Sequence, residues 1–275
     1  MDIKEVITTR KSTRTYRDEA ITADAREKLE AYMAQVTSPF DIKTRFALID
    51  AERAGLQGER LGTYGVITGA KNYIAAITEK AERYEENLGY AFEQIILYAT
   101  SLGLDTCWLG GTFQRAAVAR VLDLKDNEVL PIISPVGYAK DSRSLIDSLF
   151  VKISSSYNRK DWSELFFEDR LGNPLEKGRA GHYAEVLDMV RLAPSASNKQ
   201  PWRIVKCGDM FHFYLCRTPW YRRILRFDLQ RLDMGIAMCH FDLMAHARGL
   251  TGKWVDKNPG LPTDKHTQYL ITYAP

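Results

Sequence analysis

The chain has 275 residues, 45% of them hydrophobic, and its 38 basic and 35 acidic side chains leave a formal net charge of +3. At roughly 150 residues per domain there is room for about two domains, and the composition excludes a disordered chain. So small a positive balance gives no footprint for nucleic acid or a membrane surface.

The opening MDIKEVITTRKSTR has no apolar core of the secretory kind, so no signal peptide is expected. No apolar run reaches the roughly 20 residues that cross a bilayer. Ile3 to Thr9 reads as a short helix running into a basic stretch. A second helix starts after Thr22, whose hydroxyl suits an N-cap, and carries REKLEAYMAQV. Strands are predicted at Arg45 to Ile49 and Asn72 to Thr78. Tyr90 to Leu102 is a long apolar helix with Gly103 as its stop. Gln114 to Leu122 is a further helix, and Val129 to Val136 a strand. Asp141 to Ala180 is mostly polar, with a serine run at Ser154 to Ser156, and reads as a connector carrying short helices. The pattern then restarts. His182 to Leu192 is helical, Arg203 to Lys206 and Phe211 to Leu215 are strands, Leu232 to Arg248 is a long helix and Tyr269 to Tyr273 a last strand.

The restart has a register. Gly89, Gly103, Leu104 and Trp108 are matched by Gly235, Gly249, Leu250 and Trp254 at one constant offset of 146 positions, and Ala91, Leu97 and Ala99 fall on Ala237, Leu243 and Ala245. An internal repeat accounts for this; two unrelated amphipathic helices are the alternative.

Four segments could carry chemistry. Arg10, Lys11, Ser12, Thr13 and Arg14 concentrate three cations and two hydroxyls. Guanidinium forks fit phosphate oxygens, and on a helix Arg10 and Arg14 would share a face; a solvated basic face is the alternative. Cys107-Trp108-Leu109-Gly110-Gly111 ends in paired glycines, which let backbone N–H groups approach a flat ligand, although such pairs are common in turns. Arg159-Lys160 offers further cations or plain surface charge. Ala193-Pro194-Ser195-Ala196-Ser197-Asn198-Lys199-Gln200-Pro201-Trp202 is a loop stiffened by two prolines. It presents neutral donors and acceptors suited to a heteroaromatic edge, or is an ordinary helix-to-strand turn.

The sequence has no GxGxxG and no P-loop. Its five histidines show no metal-binding spacing, so no metal is expected. Its four cysteines form no CxxC pair and read as reduced thiols of a cytoplasmic protein.

These segments resemble the FMN-dependent nitroreductase family. RKSTR resembles its R-x-S-x-R motif, GYAFEQIILYATSLGLDTCWLGG its central helix and following loop, PIISPVGYA its strand and turn with Ala139 where proline is usual, RKDWSELF its Arg-Lys segment, and APSASNKQPWR its A-P-S-x-x-N-x-Q-P-W motif. Family members are homodimers in which the arginine motif and the Ser/Asn loop of one flavin site come from different subunits. Here the arginine motif survives only in the first half and the Ser/Asn loop only in the second; the matching first-half stretch, VTSPFDIKTR, keeps Ser38 but has no asparagine. The chain thus looks like a member of the fused, single-chain TM nitroreductase type, a pseudo-dimer with one intact and one degenerate site.

The resemblance implies an α+β fold, a mixed and mainly antiparallel sheet flanked by helices, present twice and packed through the long helices at Tyr90 and Leu232. The repeats are expected at 1–140 and 181–275, the second shorter, with 141–180 as connector. It implies FMN held by Arg10, Lys11, Ser12, Arg14, Trp108, Leu109, Gly110, Gly111, Arg159, Ser195, Ser197 and Asn198. NAD(P)H would be the transient electron donor, and a nitroaromatic, quinone or related small molecule the acceptor, in a ping-pong scheme without a separate acid–base residue. No nucleic-acid or membrane partner is expected. The chain would act as a monomeric pseudo-dimer, with a homo-oligomer left open. A flavin store or sensor without turnover, or another reaction on the same fold such as dehalogenation or dehydrogenation, is the competing expectation.

Overall fold

The computed structural model describes residues 2–56, 67–140, 158–219 and 227–275. They divide into two compact units, one built from Thr9 to Lys140 and the other from Asp2–Thr8 together with Asn158 to Pro275. Helix α1 (Ile3–Thr9) therefore counts almost wholly with the second unit.

The first unit contains α2 (Ala23–Met33), β1 (Thr44–Asp50), β2 (Asn72–Glu79), α3 (Tyr84–Ser101), β3 (Asp105–Thr106), α4 (Arg115–Val121) and β4 (Glu128–Gly137). The Thr22 hydroxyl caps α2 by accepting the Ala25 amide at 3.2 Å. The strands form an antiparallel sheet in the order β1-β2-β4-β3. Central β2 is buried along nearly its whole length, so its apolar run NYIAAIT does not alternate. α3 buries twelve of its eighteen residues, Phe92, Ile95 and Ile96 among them.

The second unit contains α5 (Trp162–Leu165), β5 (Phe166–Glu168), α6 (Lys177–Ala180), a 3-10 turn at Gly181–Tyr183, α7 (Ala184–Arg191), a second 3-10 turn at Ala196–Asn198, β6 (Trp202–Cys207), β7 (Met210–Cys216), α8 (Leu229–Ala247), β8 (Lys253–Val255) and β9 (Thr267–Ala274). Its sheet runs β5-β6-β7-β9-β8, with β5 parallel to β6 and every other pairing antiparallel. Aromatic rings fill the core around Phe241, whose ring centre lies 4.8 Å from Tyr273, 5.3 Å from Phe211 and 5.5 Å from Phe213.

The order β6-β7-β9-β8 repeats β1-β2-β4-β3, and α8 occupies the chain position of α3. Both helices end alike. Gly103 and Gly249 take φ of +76° and +70°, a left-handed turn that glycine adopts without a Cβ clash. In each case the next amide returns to the helix, Leu104 to Ala99 at 3.0 Å and Leu250 to Ala245 at 2.9 Å. The chain is an internally duplicated α+β fold.

The structure differs from the sequence reading at several boundaries. Residues 158–180 are built into the second unit, where β5 extends the sheet beside β6, so this stretch is not a connector and the second unit begins well before 181. The Ser154–Ser156 run, and the rest of 141–157, lie outside the described residues. α3 begins six residues before Tyr90, after Arg83, whose left-handed φ of +66° and lack of a side-chain cap left no mark in the sequence. α8 begins at Leu229, where Asp228 accepts the amides of Gln230 and Arg231. Among the described residues, no helix is long and apolar enough to cross a membrane.

Candidate functional site

The basic stretch is not helical. From Arg10 onward the chain is an extended strap laid on the first unit, so the condition that would put Arg10 and Arg14 on one helix face is not met. Thr13 donates its amide to Thr106 at 2.9 Å. Thr68 donates to Arg14, Tyr16 to Thr68, Arg17 to Tyr138 and Lys140 to Thr15, all between 2.8 and 3.0 Å. Two side chains fasten the strap further. Tyr16, 2% exposed, donates its hydroxyl to the Thr13 carbonyl at 2.7 Å; burial, with the nearby Cys107 and Asp105, pushes that hydroxyl's pKa well above its ordinary value. Asp105 accepts the Thr13 hydroxyl at 2.8 Å on one oxygen and the Ala139 amide at 3.1 Å on the other. Exposed Lys11 lies 3.7 Å from the same carboxylate.

This strapping leaves Arg10, Ser12 and Arg14 half-buried beside β3. Arg10 Nε and Nη1 are shielded from water and meet no acceptor among the described residues. A buried cationic donor without an acceptor is costly, by about 1–3 kcal/mol or more. Donors of this kind match an anion with several oxygens, such as a phosphate monoester.

Four residues beyond the strap's contact at Thr106 lies the glycine loop. Trp108 donates its indole N–H to Glu93 of α3 at 2.9 Å and sets its ring edge-on to Phe92 at 4.8 Å. Leu109 exchanges both backbone bonds with Ile133 and is 3% exposed, so its side chain belongs to the core and lines no open surface. Gly110 is half-buried and Gly111 exposed. The amides of both donate no hydrogen bond among the described residues.

The second unit gathers the other predicted residues. Ser197, Asn198 and Gln200 all take left-handed φ, +49°, +53° and +47°, at a cost of roughly 1–2 kcal/mol for each non-glycine residue. Such strain persists only where surroundings enforce it. Arg159 is one enforcer, donating Nη1 to the Asn198 side-chain oxygen at 2.5 Å and Nη2 to the Leu192 carbonyl at 3.0 Å. Asn198 Nδ2 donates to the Asn158 carbonyl at 2.7 Å, and Ser195 Oγ accepts the Gln200 amide at 2.9 Å. Both ends of the Asn198 amide and two donors of Arg159 are thus engaged inside this loop.

Three positioning residues escaped the sequence reading, and a fourth, Gln200, stood there only among the loop's neutral donors and acceptors. Gln200, 1% exposed, accepts the Lys160 amide at 2.9 Å and donates to Asn198; its place in the NxQPW motif was the available signal. Asp233 of α8 accepts the Ala196 amide at 2.9 Å, and an acid on a largely apolar helix was its signal. Asp105 and Arg115 had none, because Asp105 bonds Thr13 across 92 positions and Arg115 bonds backbone carbonyls. In the first unit Asn87 stands at the place of Asp233 under the repeat offset. It too reaches the loop before the first long strand, accepting the Ser38 hydroxyl at 2.5 Å.

A twice-repeated antiparallel order, each copy with one long buried helix, defines a nitroreductase-type fold. The family model described as "Putative TM nitroreductase" matches residues 2–245, and the chain belongs to that family. Among solved structures, a protein of Thermotoga maritima MSB8 described as a "putative nitroreductase" aligns over 100% of this chain and 94% of its own, with 18% identity and a TM-score of 0.64. A nitroreductase family protein of Clostridium novyi NT aligns over 54% of this chain and 91% of its own, with 24% identity and a TM-score of 0.44. An FMN-dependent nitroreductase of Clostridium difficile R20291 aligns over 50% and 88%, with 18% identity and a TM-score of 0.43. No curated protein matches the chain.

Proposed function

We propose that this nitroreductase-family protein is an FMN-dependent oxidoreductase that takes electrons from NAD(P)H and delivers them to a nitroaromatic, quinone or related small-molecule acceptor in alternating half-reactions. The carrying observation is the pair of buried donors on Arg10 that meet no acceptor among the described residues, within a strap that the protein fastens through Thr13, Tyr16 and Asp105. Arg10, Ser12 and Arg14 would bind the phosphate and ribityl chain, with Lys11 adding positive charge at the rim. The amides of Gly110 and Gly111, which donate to no described residue, would meet the ring edge, with Trp108 and Leu109 holding the loop that carries them. In the second unit, Ser195, Ser197 and Asn198, with Arg159 bracing the loop, are proposed as further flavin contacts. FMN, when bound, would accept the hydride equivalent and pass electrons on, so the chain needs no dinucleotide fingerprint of its own.

Because the arginine motif and the Ser/Asn loop each occur once, one FMN per chain is proposed. The second site would be degenerate and the single chain would act as a pseudo-dimer. The four free cysteines fit a reducing, cytoplasmic setting. The test is direct. Protein loaded with FMN and desalted should be yellow, saturate at one FMN per chain and bleach anaerobically with NADH or NADPH. Colourless protein overturns the reading. Two FMN per chain overturn the degenerate site. A yellow protein that neither nicotinamide reduces leaves flavin storage or sensing in its place.

A further inference from the structure

The Gly110–Gly111 peptide is aimed by one side chain. Arg115, the first residue of α4, donates Nη2 to the Gly110 carbonyl and, at 2.7 Å, to the Pro131 carbonyl, while its Nε donates to the Leu130 carbonyl at 3.0 Å. Its guanidinium lies 4.6 Å over the Phe113 ring. Leu130 and Pro131 belong to β4, an interior strand of the sheet, so the glycine loop is tied to the centre of that sheet. Burial lowers the guanidinium's pKa, but arginine remains charged at any working pH.

In a trans peptide the carbonyl and the N–H lie in one plane and point in opposite directions. With the Gly110 carbonyl turned to Arg115, the Gly111 N–H is turned away from it. That N–H belongs to an exposed residue and donates to no described residue. Three carbonyls on one fork also need arginine's planar, five-donor geometry; an ammonium has neither the span nor the plane.

We propose that Arg115 is a positioning residue that holds the Gly111 N–H as a hydrogen-bond donor toward the electron-accepting edge of the bound flavin ring. The proposal rests on the flavin reading above. A donor fixed beside the atoms that gain negative charge on reduction favours the reduced ring. Arg115 would thereby set the flavin's reduction potential without touching it.

The test uses the full chain loaded with FMN, as wild type, Arg115→Lys and Arg115→Met. FMN affinity, reduction potential and amide hydrogen exchange across 109–112 are measured for each. Both variants should retain FMN, with affinity reduced by less than about tenfold for one weakened contact. Their potentials should move negative, and the slowing of Gly111 exchange on FMN binding should be lost. Should Arg115→Met not fold, because the Leu130 and Pro131 carbonyls are left bare, Arg115→Lys carries the comparison. A variant that matches wild type in potential and in exchange overturns the assignment while leaving the flavin reading intact. Wild-type protein that takes up no FMN overturns that reading and the assignment together.

Discussion

Arg159 and Asn198 are bonded to each other, Nη1 to the amide oxygen at 2.5 Å, and this pairing holds a loop whose backbone resists its own conformation. With Ser197, Asn198 and Gln200 all left-handed, the loop needs outside restraint. Arg159 supplies it at both ends, through Asn198 and through the Leu192 carbonyl.

Arg159→Ala should therefore act first on stability. Two bonds from a charged donor are lost, each typically about 1.5–3 kcal/mol, and the strained loop is freed to relax. Relaxation of the strained loop returns part of this, so urea unfolding should show a net loss of about 2 kcal/mol. Arg159→Lys should recover less than half of it, because one ammonium does not reproduce the fork. An unchanged urea midpoint would show that the loop holds its shape without Arg159.

Asp233 gives a pH signature. Burial raises its pKa well above the ordinary value, with the neighbouring Asp228 adding to the effect and the bond from the Ala196 amide opposing it. Its second carboxylate oxygen is buried without a partner among the described residues. The folded state thus holds a proton that the unfolded state releases near pH 4. Asp233's contribution to stability is full below that pH and is lost as pH rises toward the raised folded value. Asp233→Asn keeps an oxygen for the Ala196 amide and removes the titration. Its stability should equal wild type near pH 4 and exceed it increasingly toward neutral pH. Parallel stability curves would show that Asp233 is ionised in the fold.

What the sequence could show here depended on range. The long helices, their glycine stops and the paired strands are written in local periodicity, and the offset between Gly103 and Gly249 exposed the duplication before any coordinates. Strands β3, β5 and β8 were not legible, because two or three residues carry no alternation and exist only through β4, β6 and β9. The site divided the same way. Arg10, Ser195 and Asn198 stand in short motifs. Asp105 holds Thr13 across 92 positions and Arg115 holds β4 through carbonyls, which leave no trace in residue type. The strap's extended shape was likewise set by partners, Thr68 and Thr106, far along the chain.

Gly69 tests whether those partners fix the strap. It has φ of +80°, and a Cβ placed there would lie 2.2 Å from the Tyr16 carbonyl oxygen. Neither atom can yield, since the oxygen belongs to backbone and the Cβ position is fixed by it, and the conformation itself disfavours a side chain. Gly69→Ala should push the strap from its bed. A stability loss of more than about 2 kcal/mol is expected, with faster amide exchange at Thr13 and Tyr16. Wild-type exchange at both residues would show that the strap is held elsewhere.

Arg10 separates a binding role from a structural one by the sign of its effect. A structural arginine is bonded within the fold, and its removal destabilises. Arg10 instead keeps two buried donors without acceptors among the described residues, an arrangement that opposes folding until an anion binds. Arg10→Met keeps much of the apolar stem and removes the buried charge. Without FMN, the variant should melt at or above the wild-type temperature. With FMN it should bind more weakly by about 1.5–3 kcal/mol, the usual contribution of hydrogen bonds to a charged group, and its melting temperature should rise less on FMN addition than that of wild type. The two shifts have opposite signs only if the strap is built to bind an anion. A variant less stable without FMN, yet unimpaired in binding it, would place Arg10 among the residues that merely hold the fold.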